Sequence, residues 1–520
     1  MAEPHNAEPH NAAAWLVDRH VAAGDGDRVA IRCQGRDTTY ARLQAELHRA
    51  QCALADLGID AGQRVVLILS DDEAFPAWFL GAMRSGVVPI PLSTMLTGPE
   101  LGPIVADAGA VAVVMSDTYL GALGDIAAAA PTVKTVVVAG EQPTEAADPP
   151  GVSVTTWASH TRADEQPVAD TTVDSAAFWL YSSGTTGRPK GVMHIHGSVR
   201  ATAETYARDV LRVGPDDRFL SVAKLFFAYG LGNSLTFPLS VGATAILHPD
   251  PPSPAAFQKL IEDEAPTLFF ASPGFCAAML DAEVPGESLA SIRATVTAGE
   301  SLPADIQKRF AKLVGGPVLD GIGSTELLHI FISNTIESQS PGSSGTIVPG
   351  YVAELRDDSG AVVTEPDTPG FLHVQGPSAA VGYHERPDAT AAAFVDGWVR
   401  TGDVYTRAAD DTWTFLGRNN DMIKAGGIWV SPAEVESTLI EHPDVLEVAV
   451  VGDRSAEGLE EVVAFVVAAA GAEPDAAELE DYCRSKMASF KRPRRILIVP
   501  SLPRTATGKI QRFALRDQLA

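Results

Sequence analysis

The chain has 520 residues, 46% hydrophobic and 20% charged, an ordinary globular mixture too long for one compact core. It sets 39 Lys and Arg against 66 Asp and Glu, a formal charge of −27, so most of its surface repels nucleic acid and anionic membranes. An anionic ligand must therefore find a local positive pocket.

The first eleven residues contain a tandem repeat, Ala2 to Asn6 and Ala7 to Asn11, which reads as a flexible, frayed end. They lack the basic patch and apolar stretch of a secretion signal. The four cysteines, Cys33, Cys52, Cys276 and Cys483, have neither CxxC nor zinc-finger spacing and read as reduced thiols. From Arg64 to Ser70 an apolar run predicts a strand, Glu73 to Arg84 has helical spacing, and Val87 to Pro91 is again extended. Ala110 to Met115, Thr135 to Val138 and Ala243 to Leu247 repeat the strand theme, and Glu141 to Gly151 reads as a surface loop. This rhythm predicts an α/β fold with mostly parallel sheets. Near Gly345 the texture changes, and Ala353 to Gly360 and Gly370 to Gly376 read as short strands of a smaller β-rich subdomain. A polar, Gly-rich stretch from Gly417 to Gly427 precedes about a hundred residues of mixed pattern, a normal size for a small domain. The predicted division is 1–417 and 418–520. The longest apolar stretch, Val462 to Ala472, is too short to span a bilayer and opens as a buried strand. The expectation is a soluble cytoplasmic enzyme, with monomer and homodimer both open.

Tyr181 to Gly191 carries the strongest chemical signal. It follows an apolar run, Ala176 to Leu180, that reads as a strand. Gly184 and Gly187 allow backbone N–H groups to approach an anion. Ser182, Ser183, Thr185 and Thr186 add hydroxyls, and Lys190 adds a positive charge. A Walker A loop needs Ser or Thr after its lysine, whereas here Gly191 follows, which disfavours a kinase-like NTPase.

At this loop the chain resembles the adenylate-forming superfamily of acyl-CoA synthetases, adenylation domains and luciferases. Four further segments follow in that family's order: Gly321 to Glu326, Thr401 to Asp403, Gly417 to Lys424, and Pro503 to Lys509. The segments Ala223 to Asn233 and Leu327 to Asn334, with the opening Asn11 to His20, resemble the benzoate–CoA ligase branch. The resemblance implies a large N-terminal domain of parallel-sheet α/β subdomains plus a β-rich subdomain, and a small mobile C-terminal α+β domain. It also implies a two-step reaction: a carboxylate attacks the α-phosphorus of ATP and pyrophosphate leaves, then a thiol attacks the acyl carbon and AMP leaves.

The resemblance further assigns roles. Glu326 would hold Mg²⁺, and Thr325 would donate to the α-phosphate. Gly299, Glu300 and Ser301, with Asp320, Gly321, Ile322, Gly323 and Ser324, would border the nucleotide. Asp403 and Arg418 would take the ribose, and Lys509 would bridge the acyl carboxylate and the α-phosphate. Lys424, on the hinge-motif face, would assist one half-reaction, and Asn420 stands at the pivot where the family usually has Asp or Lys. Ala228, Tyr229, Phe237, Ala298, Gly323 and Ile330 match positions that wall an aryl site. His329 is the one polar group among them, and either faces a ring hydroxyl or is structural. Gly426 and Gly427 would line the thiol tunnel. Coenzyme A is the expected acceptor, with the phosphopantetheine of an acyl carrier protein as the alternative. The basic run Lys491 to Arg495 reads as phosphate-binding, as a carrier-protein docking patch, or as a solvated charge run.

Overall fold

The structure, a computed structural model, describes residues 8–140, 149–182, 189–425, 428–454, 460–504 and 510–519. The predicted strands between 64 and 139 form one parallel sheet, which also takes in Ser153–Thr156; its order is Val88–Pro91, Arg64–Ile68, Ala112–Ser116, Thr135–Ala139, Ser153–Thr156. The inner strands are buried along nearly their whole length, as strands covered on both faces must be. The helix Ala74–Arg84 has no polar face to offer water, and Phe75 through Arg84 are all buried. Of the loop predicted from Glu141, residues 141–148 lie outside the described ones.

A larger sheet lies beside it. Its parallel centre runs Val318–Gly323, Ala294–Thr297, Leu268–Ala271, Arg218–Ser221, Thr244–Leu247, Val29–Cys33. Antiparallel strands finish both edges, Ile330–Ser333 and Thr346–Ile347 at one end and Arg36–Thr39 at the other. The strand Val29–Cys33 pairs in parallel with Thr244–Leu247, more than two hundred residues further along the chain. In both sheets the residues just after the carboxyl ends of the strands, among them Ser70, Thr94, Gly140, Val222, Ser272 and Ala298, face one groove. That is where parallel sheets bind ligands, because the strand ends leave a crevice there.

The predicted β-rich part is an antiparallel sheet of Val352–Arg356, Gly370–Gln375, Phe394–Val395, Trp398–Arg407 and Trp413–Arg418. A hairpin, Ile423–Ala425 with Ile428–Val430, follows. The remaining chain builds the sheet Val445–Arg454, Glu460–Ala468, Arg495–Ile498 and the helices Pro432–Leu439, Ala476–Lys486 and Arg512–Asp517. The apolar stretch from Val462 supplies the middle strand of that sheet. Its core of Val448, Val450, Ala464, Leu479 and Cys483 is a cluster of its own, and Ile440 packs both on it and on the core around Leu220 and Phe269.

The structure corrects one expectation. Residues 8–11, the second copy of the repeat, are anchored rather than frayed. Val173 N donates to Glu8 O at 3.0 Å and His10 N to Thr171 O at 2.9 Å. Asn11 is buried; its side-chain Oδ1 accepts from Ala13 N and Ala14 N, and its side-chain amide donates to Met83 O at 3.1 Å. A terminal Asn that caps a helix and ties two elements together is fixed by these bonds.

Candidate functional site

The groove is a cavity of about 2540 Å³. A pocket for one small ligand measures roughly 300–1,000 Å³, so this groove has room for two substrates. Three sets of predicted residues meet in it.

The first set flanks the glycine- and hydroxyl-rich loop. Ser182 and Lys190 are register partners at the ends of the antiparallel strands Ala176–Ser182 and Lys190–Ile195, and both line the cavity. Ser183, Gly184, Thr185 and Thr186 lie outside the described residues. Opposite stands the turn Thr325–Leu327, which Ser324 starts by accepting from Leu327 N at 3.3 Å. Thr325 and Glu326 line the cavity, and Leu328, which ends the turn, sits at φ +66. A leucine in that region stores strain, which surrounding contacts must hold. The Thr325 carbonyl accepts from the buried His194 Nε2 at 2.8 Å. Burial pushes His194 down to about 4, so its ring is neutral.

Gly299 and Glu300 also line the cavity, and Gly299 turns at φ +95, which favours a residue without Cβ. Asp320, Gly321 and Ile322 stand back from the surface in the strand leading to the turn, and Ser301 is likewise outside the lining. Asp320 is buried and accepts from Thr297 Oγ1 at 2.9 Å, and desolvation raises its pKa well above the usual carboxylate range. Asp403 and Arg418 are cross-strand partners joined at 3.1 Å, the carboxylate buried and the guanidinium half exposed. Arg418 lines the cavity with Thr401 and Gly402.

The second set lines the groove with largely apolar side chains. Ala228 and Tyr229 begin a short helix, while Ala298, Gly323, His329 and Ile330 come from the large sheet's edge. Tyr229 donates its hydroxyl to Val296 O at 3.0 Å, so the polar end of the ring is satisfied and its body is free to pack. Gly323 is required because a Cβ would come within 2.6 Å of His329 O. Phe237 lies behind the lining, its ring edge-on to His329 at 4.5 Å. His329 lines the cavity, and its Nε2 lies 3.1 Å from Asn233 Oδ1. Burial pushes its pKa down to about 3, so the wall carries no charge there.

The third set comes from the C-terminal hundred residues. Asn419, Asn420 and Asp421 follow the strand that ends at Arg418 and line the cavity, and Arg516 pairs with Asp421. Arg504, from the motif that ends in Lys509, reaches Glu300 at 3.4 Å and Glu447 at 3.0 Å. Lys509, Gly426 and Gly427 lie outside the described residues; Lys424 is register partner to Trp429 in the hairpin, with its side chain outside what is described. The basic run is largely spoken for. Lys491 pairs with Glu434, Arg495 with Asp453 and Glu461, and Arg492 donates to Met487 O. A free cationic docking patch would need those charges available.

Sequence reasoning passed over three contributors. Tyr383 donates to Glu326 Oε1 at 2.9 Å across 57 residues of chain, His194 holds the Thr325 carbonyl, and Arg504 meets Glu300. Tyr383 and His194 lie outside every motif named above, and Arg504 lies within one, but each works through a partner distant in sequence.

Comparison with known proteins agrees with this geometry. Residues 18–384 match the AMP-binding enzyme family, and residues 434–509 match the AMP-binding enzyme C-terminal domain. The benzoate–CoA ligase of Thauera aromatica is 41% identical over 517 residues, 98% of this chain and 96% of that protein. The crystal structure of a benzoate CoA ligase from Burkholderia xenovorans LB400 has a TM-score of 0.88 at 38% identity, covering 98% of this chain and 100% of that one. An anthranilate CoA ligase, AuaEII, in complex with anthranoyl-AMP, has a TM-score of 0.93 at 35% identity, covering 98% and 97%. With its large and small parts matched in order over nearly its whole length, this chain belongs to the AMP-binding enzyme family.

Proposed function

We propose that this enzyme activates benzoate, or a lightly substituted benzoate, as the aryl-adenylate with release of pyrophosphate, and then passes the aryl group to the thiol of coenzyme A. The observation that carries the reading is the uncharged stretch of the groove lined by Tyr229, Ala298 and His329, in the same cavity as Gly323 to Glu326. A planar ring is accommodated by that apolar stretch while its carboxylate points to the nucleotide side. The benzoate and anthranilate ligases above support an aryl acid as substrate.

In the first half-reaction a carboxylate oxygen attacks the α-phosphorus and the bond to pyrophosphate breaks. Two anions are brought together, so donors and cations must face them. Lys190, Thr325, and Lys509 from the small domain serve that need; Ser182 to Thr186 cradle the phosphates, and Asp403 and Arg418 take the ribose. Among the described residues no cluster of three His, Cys, Asp or Glu forms a metal cage. Mg²⁺ is ordinarily held by one or two carboxylates plus substrate phosphates, so Glu326 fits a metal that arrives with ATP. In the second half-reaction the thiol sulfur attacks the acyl carbon, the bond to the phosphate oxygen breaks, and the thiol proton is lost.

The small part's own core cluster and the gap between the two family matches, 384 to 434, support a boundary near Arg418 with its pivot at Asn420. Rotation there would exchange the Lys509 face for the Lys424 face, beside the Gly426–Gly427 passage for the thiol. Among the described residues no helix is long and apolar enough to cross a membrane. The four buried, unpaired thiols support a reducing, cytoplasmic setting.

The test is a single-turnover assay with ATP, Mg²⁺ and labelled benzoate, offered CoA or a holo acyl carrier protein. AMP, pyrophosphate and benzoyl-CoA are expected. ADP as product would reject adenylation, and loading of the carrier protein with CoA left unused would reject the acceptor.

A further inference from the structure

We propose that Tyr383 is a positioning residue that sets the Glu326 carboxylate for the nucleotide's metal and keeps Glu326 and Lys190 apart until ATP arrives. The proposal rests on the adenylation reading above.

The segment carrying Tyr383 is stitched to both nucleotide-facing elements. Ala380 N donates to Glu326 O at 2.8 Å, Val381 N to Met193 O at 3.0 Å and His384 N to Gly191 O at 2.9 Å. Gly382 and Tyr383 pair antiparallel with Met193 and Val192, next to the lysine. Tyr383 thus belongs, by backbone, to the same small sheet as Lys190 and, by a further bond, to the Thr325–Leu327 turn.

Its side chain repeats this bridging. The ring is buried, 8% exposed, and packs edge-on against Phe394 at 5.5 Å. Its hydroxyl donates to Glu326 Oε1 at 2.9 Å, and Lys190 Nζ lies 4.9 Å from the ring centroid. Glutamate is a long, rotamer-rich side chain whose ordering has an entropic cost. A donor on one of its oxygens meets that cost before the metal arrives.

The same ring separates two opposite charges. Among the described residues no ion pair joins Lys190 to Glu326. A direct pair would have to be broken by every incoming phosphate. Instead the cation rests by the aromatic ring and the anion is held by its hydroxyl. Both stay ready for ligands of opposite sign.

Tyr383→Phe removes only the donor, and Tyr383→Leu also removes the ring. Binding of a non-hydrolysable ATP analogue is measured by calorimetry with and without Mg²⁺. For Tyr383→Phe, affinity with Mg²⁺ should fall about tenfold, and affinity without it should be unchanged. The Mg²⁺ concentration needed for half-maximal adenylation should rise to match. Conversion of supplied benzoyl-AMP to benzoyl-CoA and the ligand-free Tm should stay at wild-type values. Tyr383→Leu should additionally weaken metal-free binding, because Lys190 loses its seat. The proposal is overturned if Tyr383→Phe binds the analogue with wild-type Mg²⁺ dependence, or if Tm and both half-reactions fall together. If the wild-type enzyme makes no aryl-adenylate, the adenylation reading fails on its own, and the calorimetry still decides the role of Tyr383.

Discussion

The aryl end of the groove and the seam between the large and small parts are held together by different forces. At the aryl end Tyr229, Ala298 and Ile330 belong to or pack on a core that includes Phe237, Val296 and Phe331, and burial keeps both titratable wall residues, His329 and Tyr229, neutral. At the seam, Arg504 meets Glu300 and Glu447 with roughly a third of each side chain exposed. Close packing resists small displacements, whereas half-exposed ion pairs contribute ~0–1 kcal/mol and are screened by salt. On the function proposed above, selection of the acid would fall to a rigid wall and timing of the two half-reactions to a contact that is easily remade.

The sharpest way to break this division is at Lys509. Lys509→Ala should cost at least ~10²-fold in adenylate formation, as loss of a transition-state donor does, while supplied benzoyl-AMP is still converted to thioester. Lys424→Ala should show the opposite split. Equal losses in both assays for either variant would end the idea that two faces of the small domain alternate. At the rigid end, Ala298→Leu adds bulk to a buried position that lines the cavity. The KM for benzoate should rise ~10- to 10²-fold with ATP-analogue affinity unchanged. A wild-type KM would mean that the wall yields.

Stability should follow the buried histidines. His194 and His329 are held down to about 4 and about 3. Unfolded, each titrates at about 6.5, so between these values the unfolded chain binds the extra proton. Their stabilising contribution is complete above about pH 6.5 and is lost as pH falls toward the folded value. For His194 alone the loss by about pH 5 is about 2 kcal/mol. Asp71, pushed up to about 7 by burial, works in the opposite direction, so the useful comparison is variant against wild type. His194→Gln keeps a donor for Thr325 O, and its Tm should fall less on acidification. A parallel fall would remove His194 from the acid response. The smallest effect belongs to the seam. Arg504→Ala should slow adenylation by no more than ~5-fold at low salt, and the gap from wild type should close as salt is added. A salt-independent loss would mean that Arg504 acts on the chemistry directly.

Much of this architecture was legible because it is local. Buried parallel strands announce themselves as short apolar runs, whereas Asp403 and Arg418 share a ribose role only through the family likeness, and their cross-strand pairing is visible in the fold alone. The aryl wall was named residue by residue from the family likeness, although Phe237 proved to support His329 from behind rather than line the cavity. What escaped was long-range polar pairing. The hydroxyl of Tyr383 and the guanidinium of Arg504 take their roles from Glu326 and Glu300, and no periodicity encodes a partner 57 or 204 residues away. The anchored opening escaped for the same reason, because Asn11 is fixed by Met83 and Thr171.

The pairing of Val29–Cys33 with Thr244–Leu247 also bears on how the molecule is assembled. During synthesis that early strand must wait for two hundred later residues before its parallel neighbour exists, while the sheet from Arg64 to Thr156 can close from nearby pieces. Long-range parallel pairing is slow because loop closure precedes any gain from contact. Pulse-labelled hydrogen exchange during refolding should therefore protect Val65–Leu67 and Val113–Met115 before those amides of Ile31–Cys33 that face Thr244–Leu247 rather than the neighbouring Arg36–Thr39, making that side of the opening strand one of the last to lose contact with water.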